Sequence, residues 1–244
     1  RELKSLLHLD TMNILGQTLE DRLSEPLEWV DREVIRSFDD PISPQGGLIA
    51  LSGNIAPQGA IFKRAAATPS LFESEGRAVV FENLEDLANR IDDPELDITE
   101  GDIMVLKNAG PVAAGMPEAG YLPIPKKLAR AGVKDIVRIS DARMSGTAFG
   151  TIVLHIAPET ARGGPLASVQ TGDRIRLSVK EKSIELLVDD EEIARRLADY
   201  RSPALSPRGY RGLYARMVTQ ATEGCDFTFL QHESSARWTD LKKK

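Results

Sequence analysis

One cysteine in 244 residues already excludes a good deal. Cys225 has no partner for an internal disulfide and cannot build an all-cysteine metal cage within the chain, so a reducing, cytoplasmic setting is expected. No run approaches the roughly 20 apolar residues that span a membrane, and no membrane partner is expected. The opening "RELKSLLHLD" lacks the apolar core of a secretory leader, and its first residue, Arg1, suggests a chain cut from something longer. Positive charge is in deficit too. With 31 Lys and Arg against 37 Asp and Glu, the net charge is −6. That balance argues against a polyanion binder, which needs a basic face, so no nucleic-acid partner is expected. There is no P-loop and no G-x-G-x-x-G fingerprint, no internal repeat and no low-complexity tract.

What is present is core material: 41% of the residues are hydrophobic, enough for one large domain or one domain with appendages. Residues 1 to about 40 stand apart. "RELKSLLHL" and "TLEDRLSEPLEWVDREVI" have helix-spaced apolar residues, and the turn-rich "DDPISPQGG" makes a boundary. Beyond it "GLIALSG", "GRAVVFE", "GDIMVLKN", "DIVRIS", "TIVLHIA", "DRIRLSV" and "KSIELLV" read as short strands. "NLEDLANRI", "DDEEIARRLADY" and "YRGLYARMVTQATEG" read as helices, the second with acids early and arginines late, as the helix dipole prefers. Many strands and few helices point to a β-rich α+β domain, a barrel or stacked sheets flanked by helices. A doubly wound parallel sheet fits less well, because only some strand pairs have a helix-length connector.

Three loops combine glycine, which permits close backbone approach, with residues that shape the chain. "SGNIAPQGAIFK" holds Asn54 and Lys63. "NAGPVAAGMPEAGYLPIP" surrounds one acid, Glu118. "SDARMSGTAFGT" holds Arg143, Ser145, Gly146 and Thr147. Glu118 on a rigid turn could be a hard-oxygen ligand for Mg²⁺ or a solvated loop acid. Ser145 could be an incidental turn residue, or a nucleophile or base. An ordinary serine is too weak a base and would need a cation or converging N–H donors beside it. His155 follows ten residues later inside a predicted strand. Lacking a sequence-local acid to orient it, His155 reads as packed or hydrogen-bonded rather than as half of a Ser–His pair, and His8 and His232 read as structural or exposed. Asn54, Arg143 and Lys63 could orient a substrate or satisfy loop backbone.

Four ordered motifs, "GNIAPQGAIFK", "GMPEAG", "SDARMSGT" and "HIAPETARGGPLASVQTGDRIRL", resemble the carboxy-terminal domain of the dihydroxy-acid dehydratase and phosphogluconate dehydratase family, from about Gly46 to Pro203. The first 40 residues resemble that family's link from its amino-terminal domain. "SDARMSGTAFGT" departs from the "TDGRFSGG" form of the branched-chain dihydroxy-acid dehydratases. With the tail "RGYRGLYARMVTQATEGCDFTFL", it is similar to the sugar-acid (aldonate) branch.

The resemblance implies a swivelling β/β/α domain over residues 46–203. Residues 1–45 would be a helical linker from a preceding cluster-binding domain, and 204–244 a helical tail. It implies a hydro-lyase that converts a 2,3-dihydroxy carboxylate into a 2-keto-3-deoxy acid. Ser145 would be the base for the C2 proton, Thr147 would assist departure of the hydroxyl, and Glu118 would be a Mg²⁺ ligand, with Arg143, Gly146 and Asn54 as substrate contacts. An iron–sulfur cluster, 2Fe-2S favoured over 4Fe-4S, would be ligated by the absent amino-terminal domain, since Cys225 matches none of its ligands. The implied partners are a small hydroxy-acid substrate, that amino-terminal domain, and further copies in a homodimer or homotetramer. On this reading the chain alone is inactive. The alternatives are a branched-chain dihydroxy-acid dehydratase, or a non-catalytic anion-binding or oligomerisation domain.

Overall fold

Strands in the middle of the chain carry apolar residues in unbroken runs, such as "AVVF" and "IMVL", the pattern of strands covered on both faces. In the computed structural model, which describes residues 1–27, 29–116, 122–146 and 149–231, these runs lie side by side. The strands are β1 (Ile49–Gly53), β2 (Ala56–Phe62), β3 (Glu73–Phe81), β4 (Ile103–Leu106), β5 (Val137–Ser140), β6 (Ile152–Ala157), β7 (Arg174–Ser178) and β8 (Ser183–Leu186). They form a closed barrel in the order β1-β2-β6-β5-β4-β3-β7-β8. The neighbours β3, β4, β5 and β6 run parallel, while β2 pairs antiparallel with β1 and β6, and β7 with β3 and β8.

The barrel separates two apolar cores. Leu51, Phe62, Val80, Val105, Ile139, Val153 and Ile184 fill the inside. The alternate residues Val79, Phe81, Met104, Leu106, Ile152 and Leu154 face outward, beneath helices α2 (Leu84–Arg90) and α4 (Lys126–Arg130). The start of α2 is set by Asn83, whose side chain accepts from Asp86 N–H at 2.9 Å. Helix α5 (Asp190–Asp199) adds Ile193 to the inner core. The expectation of a sheet-rich domain with few helices is met, in its barrel form. Among the described residues, no helix is long and apolar enough to cross a membrane.

Two expectations need correction. The stretch "APQGAIF", read as part of a loop, is strand β2. Its proline is tolerated because Pro57 is exposed and outside the paired positions of either neighbour, so the ladder does not need the missing N–H. The helical arms are also shorter than expected. In the separate unit Arg1–Gly46, the α-helix α1 spans only Leu19–Ser24, behind a Thr18–Asp21 capping box. It stops at Glu25 because the residue before a proline, here Pro26, is driven into extended backbone. In the tail, α6 covers Gly209–Met217 and ends where Val218 turns extended to pair with Phe227.

The barrel closes on its thinnest seam, where β1 meets β8 through the single pair Ser52–Ser183. Asn54 widens that seam with a side chain acting as a peptide group: its Nδ2 donates to Leu186 O at 2.8 Å and its Oδ1 accepts from Leu186 N–H at 2.7 Å. Gly53 lets the strands meet, since a Cβ there would lie 1.8 Å from Ile184 O. Gly53→Ala is therefore expected to destabilise the domain by about 1–3 kcal/mol, an overpacking cost. Gly101→Ala, with open space around it, should stay within about 0.5 kcal/mol; chemical denaturation of both variants checks the contrast.

Candidate functional site

Because β5 and β6 are parallel neighbours, the chain between them must return the length of a strand, usually as a helix. Residues 141–151 return without one among the residues described, so their backbone polar groups need other partners. At the carboxyl end of β6, His155 N–H donates to Ala142 O at 2.9 Å, and Met144 N–H donates to His155 Nε2 at 2.8 Å. Further along, the Lys63 ammonium donates to Gly146 O at 2.6 Å. The far end is pinned where Gly150 N–H donates to Ala66 O at 2.9 Å and Arg138 Nη2 donates to Phe149 O at 3.0 Å. Ser145 is half-buried in this strap, between the His155 and Lys63 attachments.

His155 reaches the strap because β6 carries a bulge. The register with β2 passes from Gly59–Ala157 to Ile61–Leu154, so β6 has one residue more than its partner there. His155 has φ +55°, the left-handed region, and Val153 and Ile156 on either side both belong to the inner core. Burial, with the Arg143 guanidinium adding to it, holds the imidazole pKa below its usual range. The ring is thus kept neutral, with the Nε2 lone pair available to the Met144 N–H.

Two buried carboxylates join the segments that leave the barrel at the carboxyl ends of β4, β5 and β6. Asp141, fully buried just after β5, accepts from Ala109 N–H at 2.8 Å and from Thr160 N–H at 2.9 Å. Glu159, after β6, accepts from Val112 N–H at 3.0 Å, Ala113 N–H at 3.2 Å and Gln220 Nε2 at 2.7 Å. It thereby ties the short helix α3 (Pro111–Ala114) and the tail to the barrel. The described residues of α3 and α6 also line a cleft of about 580 Å³ with Tyr210, Arg211 and Tyr214 on its wall. Ser145 is not among the described residues lining it.

The expected site residues divide into three groups. Ser145, Gly146 and Arg143 share the strap, Asn54 lies at the barrel seam with its amide engaged by Leu186, and Glu118 and Thr147 lie outside the described residues. Reading the sequence missed the structural work of Asp141 and Glu159, left His155 open between packing and hydrogen bonding, and left Lys63 open between orienting a substrate and satisfying loop backbone, which its bond to Gly146 O does. The one available signal was that Asp141, His155 and Glu159 stand inside the "SDARMSGT" and "HIAPETARGG" motifs.

Among the described residues, no group of three His, Cys, Asp or Glu could hold a metal ion. Asp141 and Glu159 already accept from backbone N–H groups, and Cys225 places its Sγ 3.5 Å from Met116 Sδ, with burial raising its thiol pKa. These residues fit neither a Mg²⁺ site nor a cluster site by themselves.

Burial, with Glu159 adding to it, pushes the Asp141 carboxyl up to about 6 against the donation from Thr160 and Ala109. A carboxyl raised from about 3.8 to about 6 favours the fold while protonated, and loses that advantage as pH rises between those values. Two units correspond to on the order of 3 kcal/mol. Relative to Asp141→Asn, whose side chain does not titrate, the native chain is expected to lose about that much stability between pH 4 and 7. Parallel stability curves over that range would refute the assignment.

Comparison with known proteins adds to this geometry. The family model described as dihydroxy-acid/6-phosphogluconate dehydratase, C-terminal, matches residues 33–225. The L-arabonate dehydratase of Azospirillum brasilense is 49% identical over 229 residues, 91% of this chain and 39% of that protein. The 6-deoxy-6-sulfo-D-gluconate dehydratase of Pseudomonas putida is 48% identical over 236 residues, 95% of this chain and 41% of that protein. A dihydroxy-acid dehydratase of Acetivibrio thermocellus is 37% identical over 224 residues, 91% of this chain and 40% of that protein. The chain thus spans about two fifths of the length of these relatives, and it is more similar to the two sugar-acid enzymes than to the third. By this match, the chain belongs to the dihydroxy-acid/6-phosphogluconate dehydratase family and carries its C-terminal domain.

Proposed function

We propose that this chain is the carboxy-terminal part of a hydro-lyase that dehydrates a sugar acid, a 2,3-dihydroxy carboxylate, to a 2-keto-3-deoxy acid. The observation that carries the reading is the higher identity to dehydratases named for sugar acids, 48–49%, than to a dihydroxy-acid dehydratase, 37%. In the proposed reaction Ser145 takes the C2 hydrogen as a proton while the C3–O bond breaks with its electron pair. Proton and hydroxide leave as water, and the resulting enol tautomerises to the keto acid. One feature of the strap suits the role: Ser145 is half-buried there, between two points at which the strap is held by side chains from elsewhere in the barrel domain. Arg143, two residues before Ser145, is exposed and could meet the substrate carboxylate. Thr147 is assigned to the departing hydroxyl and Glu118 to Mg²⁺, both from the resemblance. The remaining Mg²⁺ ligands and the iron–sulfur ligands belong, on this reading, to the rest of a cytoplasmic, homo-oligomeric enzyme, and no step is derived through either group.

The unit Arg1–Gly46 supports a missing partner. None of its described residues is buried, and Ile14 and Trp29 are 100% and 76% exposed. Apolar side chains that a unit does not cover itself, at this density, mark a contact surface. We assign its cover to the amino-terminal portion of the full-length protein. The family's C-terminal match begins only at residue 33, whereas the relatives match 91–95% of the chain.

Three experiments test the reading. In the full-length enzyme, Ser145→Ala should lower kcat about 10²–10⁴-fold, the usual worth of a positioned acid or base, with the unfolding midpoint unchanged. Assays on pentonates, hexonates and branched dihydroxy acids should show turnover of a sugar acid; turnover of the branched acids alone, or full activity in Ser145→Ala, overturns the proposal. Ile14→Glu should destabilise the full-length enzyme and leave the 244-residue chain unchanged; equal effects in both would remove the covered-surface assignment.

A further inference from the structure

A base that removes a proton from carbon must present its oxygen within reach and in line, and small displacements lower the rate by about 10²-fold. Ser145 sits on a strap with no helix among its described residues and with glycine next to it, where backbone freedom is greatest. The direction of its hydroxyl depends in part on how the peptide groups around it are held.

Two side chains hold them. His155 Nε2 accepts the Met144 N–H, one residue before Ser145, at 2.8 Å. The Lys63 ammonium donates to Gly146 O, one residue after it, at 2.6 Å. The first comes from β6 and the second from the residue that directly follows β2, and these two strands pair with each other in the barrel wall. The two attachments therefore share one rigid support and bracket three residues of backbone. We propose that His155 and Lys63 are positioning residues for Ser145, directing its hydroxyl by fixing the peptide groups on either side of it. This inference rests on the reading of Ser145 as the base.

The backbone of His155 argues for a task beyond packing. It occupies the extra position of a β-bulge at φ +55°, where glycine would sit without strain and an L side chain is disfavoured. Strain of this kind persists where the surrounding structure needs the side chain. The bulge also supplies the direction. Regular alternation would have sent residue 155 into the inner core and Ile156 outward; the inserted residue leaves Ile156 inside and delivers the imidazole to the strap.

The test uses the full-length enzyme and takes advantage of that strain. His155→Gly suits the left-handed backbone but removes the acceptor. It is expected to lower kcat about 10–100-fold, with KM within about threefold of the native value and an unfolding midpoint unchanged or raised. Lys63→Met should lower kcat similarly and Lys63→Arg should restore most of it, since only the donor to Gly146 O is at issue. In a Ser145→Ala background, His155→Gly should slow the residual rate no further, because residues acting through one group are not additive. If Ser145→Ala abolishes activity while His155→Gly and Lys63→Met keep the native kcat, the bracket is wrong and the base reading stands. If Ser145→Ala itself retains activity, the base reading is what fails. An equal loss of rate from His155→Gly in both backgrounds overturns the bracket by marking general damage, and should His155→Gly unfold the enzyme, the Lys63→Met and Lys63→Arg pair decides alone.

Discussion

Two strands that run the same way side by side cannot be joined by a tight turn, and β5 and β6 are such a pair. Most parallel connections meet that requirement with a helix, which satisfies its own backbone. Residues 141–151 use an irregular strap, and several of its N–H and C=O groups are met by groups outside it. Ala142 and Met144 are held by His155, Gly146 by Lys63, Phe149 by Arg138 and Gly150 by Ala66. The features that matter to the proposed chemistry follow from this accounting. A small hydroxyl can stand at a defined place on an irregular segment because a peptide group on each side of it is held.

Buried carboxylates extend the same logic to the other loops. Asp141 and Glu159 satisfy N–H groups of segments distant in sequence, and each joins the carboxyl end of one parallel strand to that of another. Placing Asp141 with no exposure carries a cost, visible in its raised pKa. The acid persists there because no apolar side chain could accept two backbone N–H groups at once. Loops joined in this way behave as parts of the barrel, which is what a site assembled on loops requires.

The unit Arg1–Gly46 and the barrel unit obey opposite rules. The barrel encloses one core and supports another on its outer face, whereas the first unit exposes apolar residues it does not cover itself. The described carboxylates and the single thiol make no complete metal or cluster site. The relatives are about two and a half times as long as this chain.

Motif order made the family legible from residues alone, and apolar runs made most of the strands legible, since both are local properties of the chain. Strand β2 was not, because Pro57 and Gly59 are loop residues by type and become strand residues only where neighbouring strands leave those positions unpaired or free to bend. Asn54 was read as a possible substrate contact, and only its long-range pairing with Leu186 shows it closing the barrel. His155 is the sharpest case: its place in a strand was visible, but the bulge that turns its ring toward the Met144 N–H depends on a mismatch in register between two strands about a hundred residues apart. The sequence by itself determined which family, which strands and which reactive side chains this protein has. Tertiary structure alone decided which groups face one another, because hydrogen bonds across a barrel depend on register and closure, which no single stretch of chain encodes.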